Sequence, residues 1–271
     1  MVRASPPGDL PINPLRLNRY PPPPTPAAAW MFERYVRRQA SRHFSGVHWA
    51  GGGASERWDR SIPTLFIANH TNWWDGFIAC LVSRGLGLGF QVLMEAQHLA
   101  RYRVFLRVGA LPLRRGRPRE AYADLTAAAA YLRPGTGLWI FPQGERRPPR
   151  EPLARCERGA AHLALGHGAP LRICPVAFRY IHLGEQLPEA FALVGEEWLL
   201  RPGAVSGRAA LMEAFAGRLA GTIGELDALV ASENVAPFRP LAAGRLSVNK
   251  RLDRFRHLVG LLRGPFEARN G

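Results

Sequence analysis

The feature that most constrains the fold is a series of short, continuously apolar runs separated by helical patterns. The run from Pro63 through Leu65, Phe66, Ile67 and Ala68 to Asn69 shows no polar alternation. A strand of that kind must be covered on both faces, as in a parallel sheet. Residues 90–94 (FQVLM), 109–113 (GALPL), 137–141 (GLWIF) and 173–178 (ICPVAF) repeat the pattern, and FALVG at 191–195 is a late strand. Helical patterns fall between them at 75–83, 119–133 and 157–167. In 119–133, Ala121, Tyr122, Leu125, Ala128, Ala129 and Leu132 follow i, i+3, i+4 spacing, and Pro134-Gly135 stops the helix. Alternation of this sort predicts an α/β fold: a single domain with a mostly parallel central sheet flanked by helices.

Both ends differ from this core. Residues 1–26 are proline-rich, ending in PPPPTP, and read as extended or disordered. Residues 27–44 predict an amphipathic helix, with Phe32, Tyr35, Val36, Gln39 and Ala40 on one face and Arg34, Arg37, Arg38, Ser41 and Arg42 on the other. Such a helix suits an anionic membrane surface or packs on its own domain; the moment is the same either way. Residues 208–232 read as one long helix. In the basic tail, 247–271, Leu252, Phe255, Val259 and Leu262 keep helical spacing among Lys250, Arg251, Arg254 and Arg256. The expected organisation is a domain over 45–246 with helical extensions at both ends.

Charge and cysteine usage bound the partners. Thirty-six basic residues against 21 acidic ones give a formal charge of +15, and Lys250 is the only lysine. Part of this reflects arginine-rich composition; the rest implies an anionic partner. Cys80, Cys156 and Cys174 are odd in number and widely spaced, without CxxC, as expected of reduced thiols in a cytosolic compartment and not of structural zinc. Residues 1–14 lack the apolar core of a signal peptide, and no run of about 18 apolar residues predicts a transmembrane span.

The chemistry concentrates in FIANHTNWWDGF, residues 66–77. Within one helix His70 and Asp75 would lie about 140° apart. If His70 ends a strand and Asp75 opens the next helix, the TNWW loop can fold them together. Asp75 then accepts from one imidazole nitrogen, fixes the tautomer and makes the other nitrogen a better base. No GxSxG motif and no reactive-cysteine signal accompanies the pair, so the histidine would act on a substrate hydroxyl.

The phrase NHTNWWD resembles the NHxxxxD motif of the glycerolipid acyltransferase superfamily, the lysophosphatidic acid acyltransferases and their relatives. Three further blocks resemble that family's in order: GALPLRR at 109–115, with Gly109, Arg115 and the adjacent Arg114; FPQGERR at 141–147; and ICPVAF with Pro175. The resemblance covers roughly residues 60–180. It implies that His70 deprotonates an acceptor hydroxyl, that Asp75 orients His70, and that the acceptor oxygen attacks the thioester of acyl-CoA or an acyl carrier protein, with no metal or other cofactor. It also implies that Arg115 or Arg114, with Phe141, Gln143, Gly144, Glu145 and Arg146, holds the acceptor's polar head. Arginine suits phosphate because its planar fork binds two oxygens. Gly144 would let backbone amides approach an oxyanion.

The third block departs from FPEGTRS. Gln143 replaces Glu, Glu145 replaces Thr and Arg147 replaces Ser. Glu145 would repel a phosphate unless Arg146 or Arg147 compensates, while Gln and Glu both bond sugar hydroxyls. The resemblance therefore implies a peripheral O-acyltransferase on the cytoplasmic face of the cell membrane. Its default acceptor is 1-acylglycerol-3-phosphate; a glycolipid, carotenoid glycoside or ornithine lipid is the alternative. A non-enzymatic binder of anionic membranes or nucleic acid would account for the charge but not the ordered blocks, so no nucleic-acid partner is expected. Trp73 and Trp74 are candidates for an acyl channel or plain packing. GLGLG at 85–89 lacks a strand-to-helix context and reads as a loop.

Overall fold

The computed structural model describes residues 20–51, 58–149 and 156–245. In chain order they form α1 (Pro26–His43), β1 (Gly46–Gly51), β2 (Thr64–Ala68), α2 (Asp75–Gly85), β3 (Gly89–Glu95), α3 (Ala96–Arg101), a 3-10 helix (Arg103–Val108), β4 (Ala110–Leu113), α4 (Pro118–Ala129), β5 (Thr136–Ile140), α5 (Arg158–Gly166), β6 (Leu171–Ile181), β7 (Glu189–Val194), β8 (Trp198–Leu200), α6 (Arg208–Ala231) and β9 (Arg239–Ala243). The strands make one sheet in the order β4-β3-β5-β2-β6-β7-β1-β9, with β8 paired to β6 off that path.

The unbroken apolarity of β2 follows from its place. It pairs in parallel with β5 on one side and β6 on the other, and all five of its residues are buried. β3 pairs in parallel with β4 and β5, and β1 with β7. The antiparallel pairs are β6 with β7, β6 with β8, and β1 with β9. The sheet is mixed but mostly parallel, flanked by helices in a single domain. Alternate side chains of β2 feed two cores. Phe66 and Ala68 join Ile78, Leu81, Trp139 and Phe178 on the α1–α2 side. Leu65 and Ile67 join Leu125, Leu163, Leu211 and Phe215 on the α4–α5–α6 side.

Helix α1 belongs to the first of these layers. Its N-cap Thr25 accepts from the Ala28 amide, Val36 and Ala40 are fully buried, and Phe32 packs on the core. Arg37 donates to Glu33 at 2.9 Å and to the Leu241 carbonyl at 2.6 Å. The expected N-terminal extension is thus a packed element of the domain, with Arg34, Arg38 and Arg42 left exposed. From the proline-rich segment, Tyr20 donates to the carbonyls of Pro112 and Asp124 and its ring meets Tyr131. The basic tail, 247–271, lies outside the described residues, as do residues 1–19.

Five elements carry no sequence expectation. β1 (GVHWAG) holds a histidine between glycines, β8 is three residues long, and β9 contains Pro240 at the sheet edge. The short α3 and the 3-10 helix fill the connection from β3 to β4. Gly109 ends that connection at φ 109°, where a Cβ would lie 2.3 Å from the Phe90 carbonyl oxygen, so only glycine fits.

Close aromatic packing lies beneath the end of β2. Phe66 and Trp139 stack at 4.3 Å, and Trp139 Nε1 donates to Ser83 Oγ at 2.7 Å. Trp139→Ala is expected to lower the unfolding free energy by about 3–5 kcal/mol, measured by denaturant titration.

Candidate active site

His70 follows β2 directly, and Asp75 is the first residue of α2. The four residues between them make a tight loop, and the carboxylate of Asp75 organises it. Asp75 Oδ2 accepts from His70 Nδ1 at 2.7 Å, from the Thr71 amide at 2.7 Å and from the Asn72 amide at 2.8 Å. Oδ1 accepts from the Tyr180 hydroxyl at 2.7 Å. Asp75 is fully buried, and the α2 N-terminus favours its negative charge. A carboxylate so placed only accepts, so Nδ1 of His70 carries a proton and Nε2 of the neutral ring is a free acceptor.

The backbone of His70 is clamped by the segment after β5. Gln143 Oε1 accepts from the His70 amide at 2.5 Å, and the Arg147 amide donates to the His70 carbonyl at 2.9 Å. Phe141 stacks on the imidazole at 4.5 Å. Asn69, also buried, uses its side-chain amide to bond both the N–H (2.7 Å) and the carbonyl (3.2 Å) of Phe178 in β6. The histidine is therefore fixed from both neighbouring strands of β2.

His70 opens onto a cavity of about 1300 Å³. Phe32, Phe77, Phe90, Val92, Phe105 and Val108 supply apolar lining, and Arg115, Glu145, Arg146 and Arg158 supply charged lining. Phe32 ties the aromatic part together through contacts with Phe77, Phe90 and Phe105 at 5.9–6.4 Å. Trp73 lines the cavity and meets Phe77 edge-on, whereas Trp74 packs against Phe44.

The other residues singled out from the sequence divide by where their side chains lie. Arg115 lines the cavity and donates to the Gly144 carbonyl. Arg114 is held instead by Asp124, through Nε at 2.9 Å and Nη2 at 2.5 Å, and by Glu120 at 3.1 Å. Gln143 is buried behind the turn, engaged with His70. Glu145 and Arg146 are exposed on the cavity lining, and Glu145 pairs with Arg147 at 2.9 Å. The amide of Gly144 itself donates to the Phe141 carbonyl at 3.0 Å. The glycine is needed because the turn holds it at φ 77°, with Arg115 against its Cα. Tyr180 and Asn69 escaped the sequence reading as site residues. Nothing in the sequence near Tyr180 marks it, because its partner lies 105 residues away.

Residues 53–179, just under half of the chain, match the family model Acyltransferase. Over that segment the chain is similar to the acyltransferase family. Among solved structures it is similar to the crystal structure of PlsC, the 1-acyl-sn-glycerophosphate (LPA) acyltransferase from Thermotoga maritima, with a TM-score of 0.52 and 18% identity over 74% of this chain and 80% of that one. That likeness establishes the shared fold. No curated protein matches the chain.

The amide clamp on His70 is testable without an assay. Gln143→Leu leaves a buried N–H without an acceptor and is expected to cost about 1–3 kcal/mol of stability in denaturant melts. Gln143→Glu retains an oxygen at that position and is expected to cost less.

Proposed function

We propose that this enzyme moves an acyl chain from acyl-CoA or an acyl carrier protein to a lipid hydroxyl, with 1-acylglycerol-3-phosphate as the favoured acceptor. The observation that carries this reading is the 2.7 Å contact between His70 Nδ1 and the buried Asp75, at a cavity that joins an apolar wall to arginines. His70 Nε2 takes the proton of the acceptor hydroxyl as its oxygen attacks the thioester carbonyl. The carbon–sulfur bond of the tetrahedral intermediate then breaks, and the imidazolium returns the proton to the departing thiolate. Asp75 stabilises the imidazolium in between. Cys156 also lines the cavity, but burial pushes its thiol up to about 11, which favours direct transfer over a cysteine-bound intermediate.

Arg115 and Arg146 are the side chains that would hold the acceptor's phosphate. The pairing of Glu145 with Arg147 offsets the carboxylate that would otherwise repel it. PlsC acts, by its description, on 1-acyl-sn-glycerophosphate. The apolar lining would take the acyl chain.

Membrane contact is part of the same proposal. Trp30, Met31 and Tyr35 of α1, Trp73 beside His70's loop, and Tyr102 and Val104 near the 3-10 helix are each about half exposed or more. Three of them reach the cavity's aromatic lining: Phe77 contacts Tyr35 at 6.2 Å and Trp73 at 4.6 Å, and Phe105 contacts Tyr102 at 6.4 Å. Arg34 lies over Trp30 and Arg101 over Tyr102. Exposed aromatics interleaved with arginine suit an anionic interface, from which a lipid can enter the cavity. No helix among the described residues is long and apolar enough to cross a membrane.

Thiol release is the direct test, with acyl-CoA and acyl carrier protein as donors and lysophosphatidic acid or uncharged glycolipids as acceptors. His70→Ala is expected to lose about 10²-fold or more in turnover. Arg115→Ala is expected to raise KM for the phosphorylated acceptor about tenfold or more. Release with glycolipids alone would replace the acceptor assignment, and histidine-independent release would remove the mechanism. Sedimentation with anionic vesicles should retain the wild type at low salt and lose most of it with Trp30→Ser and Trp73→Ser combined. A wild type that stays in the supernatant contradicts membrane docking.

A further inference from the structure

We infer that Tyr180 is a positioning residue that sets the basicity of His70 by donating a hydrogen bond to the far oxygen of Asp75. This rests on the reading of His70 as the general base. The geometry is closed on all sides. Asp75 Oδ2 is shared by His70 and two loop amides, so Oδ1 is the only oxygen left for another donor, and the Tyr180 hydroxyl meets it at 2.7 Å.

The fold brings the tyrosine there by a definite route. β2 ends its pairing with β6 at Ala68 opposite Val176. The Asn69 side chain continues that pairing to Phe178, and Tyr180 lies two residues further on the same face. Its ring stacks on Phe44 at 5.8 Å, and Phe44 packs edge-on against Trp74 at 4.9 Å. The ring is partly exposed while the hydroxyl is buried. Burial and the neighbouring Asp75 charge hold this hydroxyl well above the usual tyrosine range, so it keeps its proton and stays a donor across the working pH.

His70 and Tyr180 are the titratable side chains hydrogen-bonded to Asp75. Other titratable groups reach the cavity around His70 from every packed element: Glu95 of β3; His98 and Arg101 of α3, with Tyr102 beyond it; Arg115 after β4; Tyr122 of α4; Glu145 and Arg146 after β5; Glu157, Arg158 and His162 at α5; and Arg208 of α6. His43 of α1 packs on Trp74. Among the described residues none of these bonds to the pair. The Tyr180 donor therefore acts on the dyad without a competitor. Without it, charge concentrates on the carboxylate, which then holds the imidazolium more tightly. His70 would become protonated at higher pH, leaving less of the neutral ring to receive the acceptor's proton on the acid side of the profile.

Tyr180→Phe keeps the ring and removes only the donor. At a pH on the acid limb it is expected to lower kcat about three- to tenfold, while both KM values stay within about twofold. The acid limb of the kcat–pH profile should move upward by about half to one pH unit. Site-specific 3-fluorotyrosine at 180, a stronger donor, should keep kcat near wild type and move the limb downward. The ring titration of His70, assigned by NMR against His70→Ala, should move with the limb. An unchanged His70 titration in Tyr180→Phe overturns the inference, as does a loss of kcat matched by a loss of folded protein. If the wild type shows no His70-dependent thiol release, it is the acyl-transfer reading that fails; the NMR titration still decides the role of Tyr180.

Discussion

A single buried carboxylate organises the end of β2. Asp75 has no solvent to share its charge, and an ionised group in that position is costly unless every lone-pair direction finds a donor. Four donors do so: the His70 ring, the amides of Thr71 and Asn72, and the Tyr180 hydroxyl. Satisfying Asp75 folds the loop back over the start of α2, and the loop in turn aims the imidazole. The shape of the site is the shape that pairs this charge.

The sheet order explains why residues far apart in sequence converge there. β4, β3, β5, β2 and β6 are consecutive neighbours, and each runs parallel to the next. Their carboxyl ends therefore lie along one edge, the position at which open α/β sheets place ligands. Arg115 follows β4, Phe141 to Arg146 follow β5, His70 follows β2, and Tyr180 closes β6. A short strand followed by a polar turn delivers one functional group at a time to a common crevice.

This arrangement also sets what the sequence could disclose. The unbroken apolar runs of β2, β5 and β6 are signatures of burial on two faces, so the central parallel strands and the helices between them were readable. β1, β8 and β9 were not, because a glycine-flanked hexamer, a three-residue strand and a proline-bearing edge lack both length and periodicity. Within the site, the spacing of His70 and Asp75 is local and was legible. So was the third block, but only as a string: residue type did not say which side chains point into the cavity. Arg114 and Arg115 are equivalent in sequence, yet Asp124 and Glu120 hold the first while the second reaches the turn. Tyr180 depends on strand pairing across 105 residues, which no local pattern encodes.

The departures in the third block take on different weights in this frame. At 143 the structure uses an oxygen to accept from the His70 amide, and a carboxamide supplies that oxygen as a carboxylate would. The change to glutamine thus falls on the scaffold of the base, behind the turn, where it removes a charge from the neighbourhood of His70 without removing the clamp. Glu145 differs in kind, since it lies on the cavity lining with Arg146 while its partner Arg147 is tied by its amide to the His70 carbonyl. A substituent that reads the acceptor must face the cavity and be free to answer to charge or hydrogen bonding; position 145 lies on the cavity lining, whereas 143 does not and its oxygen is taken by the His70 amide. In the proposed reading, how far Arg147 neutralises Glu145 is one contribution to the choice between a phosphate and a hydroxyl-bearing head group. That ion pair is partly exposed and correspondingly weak, so in the proposed reading Arg115 and Arg146 carry more of the acceptor's charge recognition than the pair does.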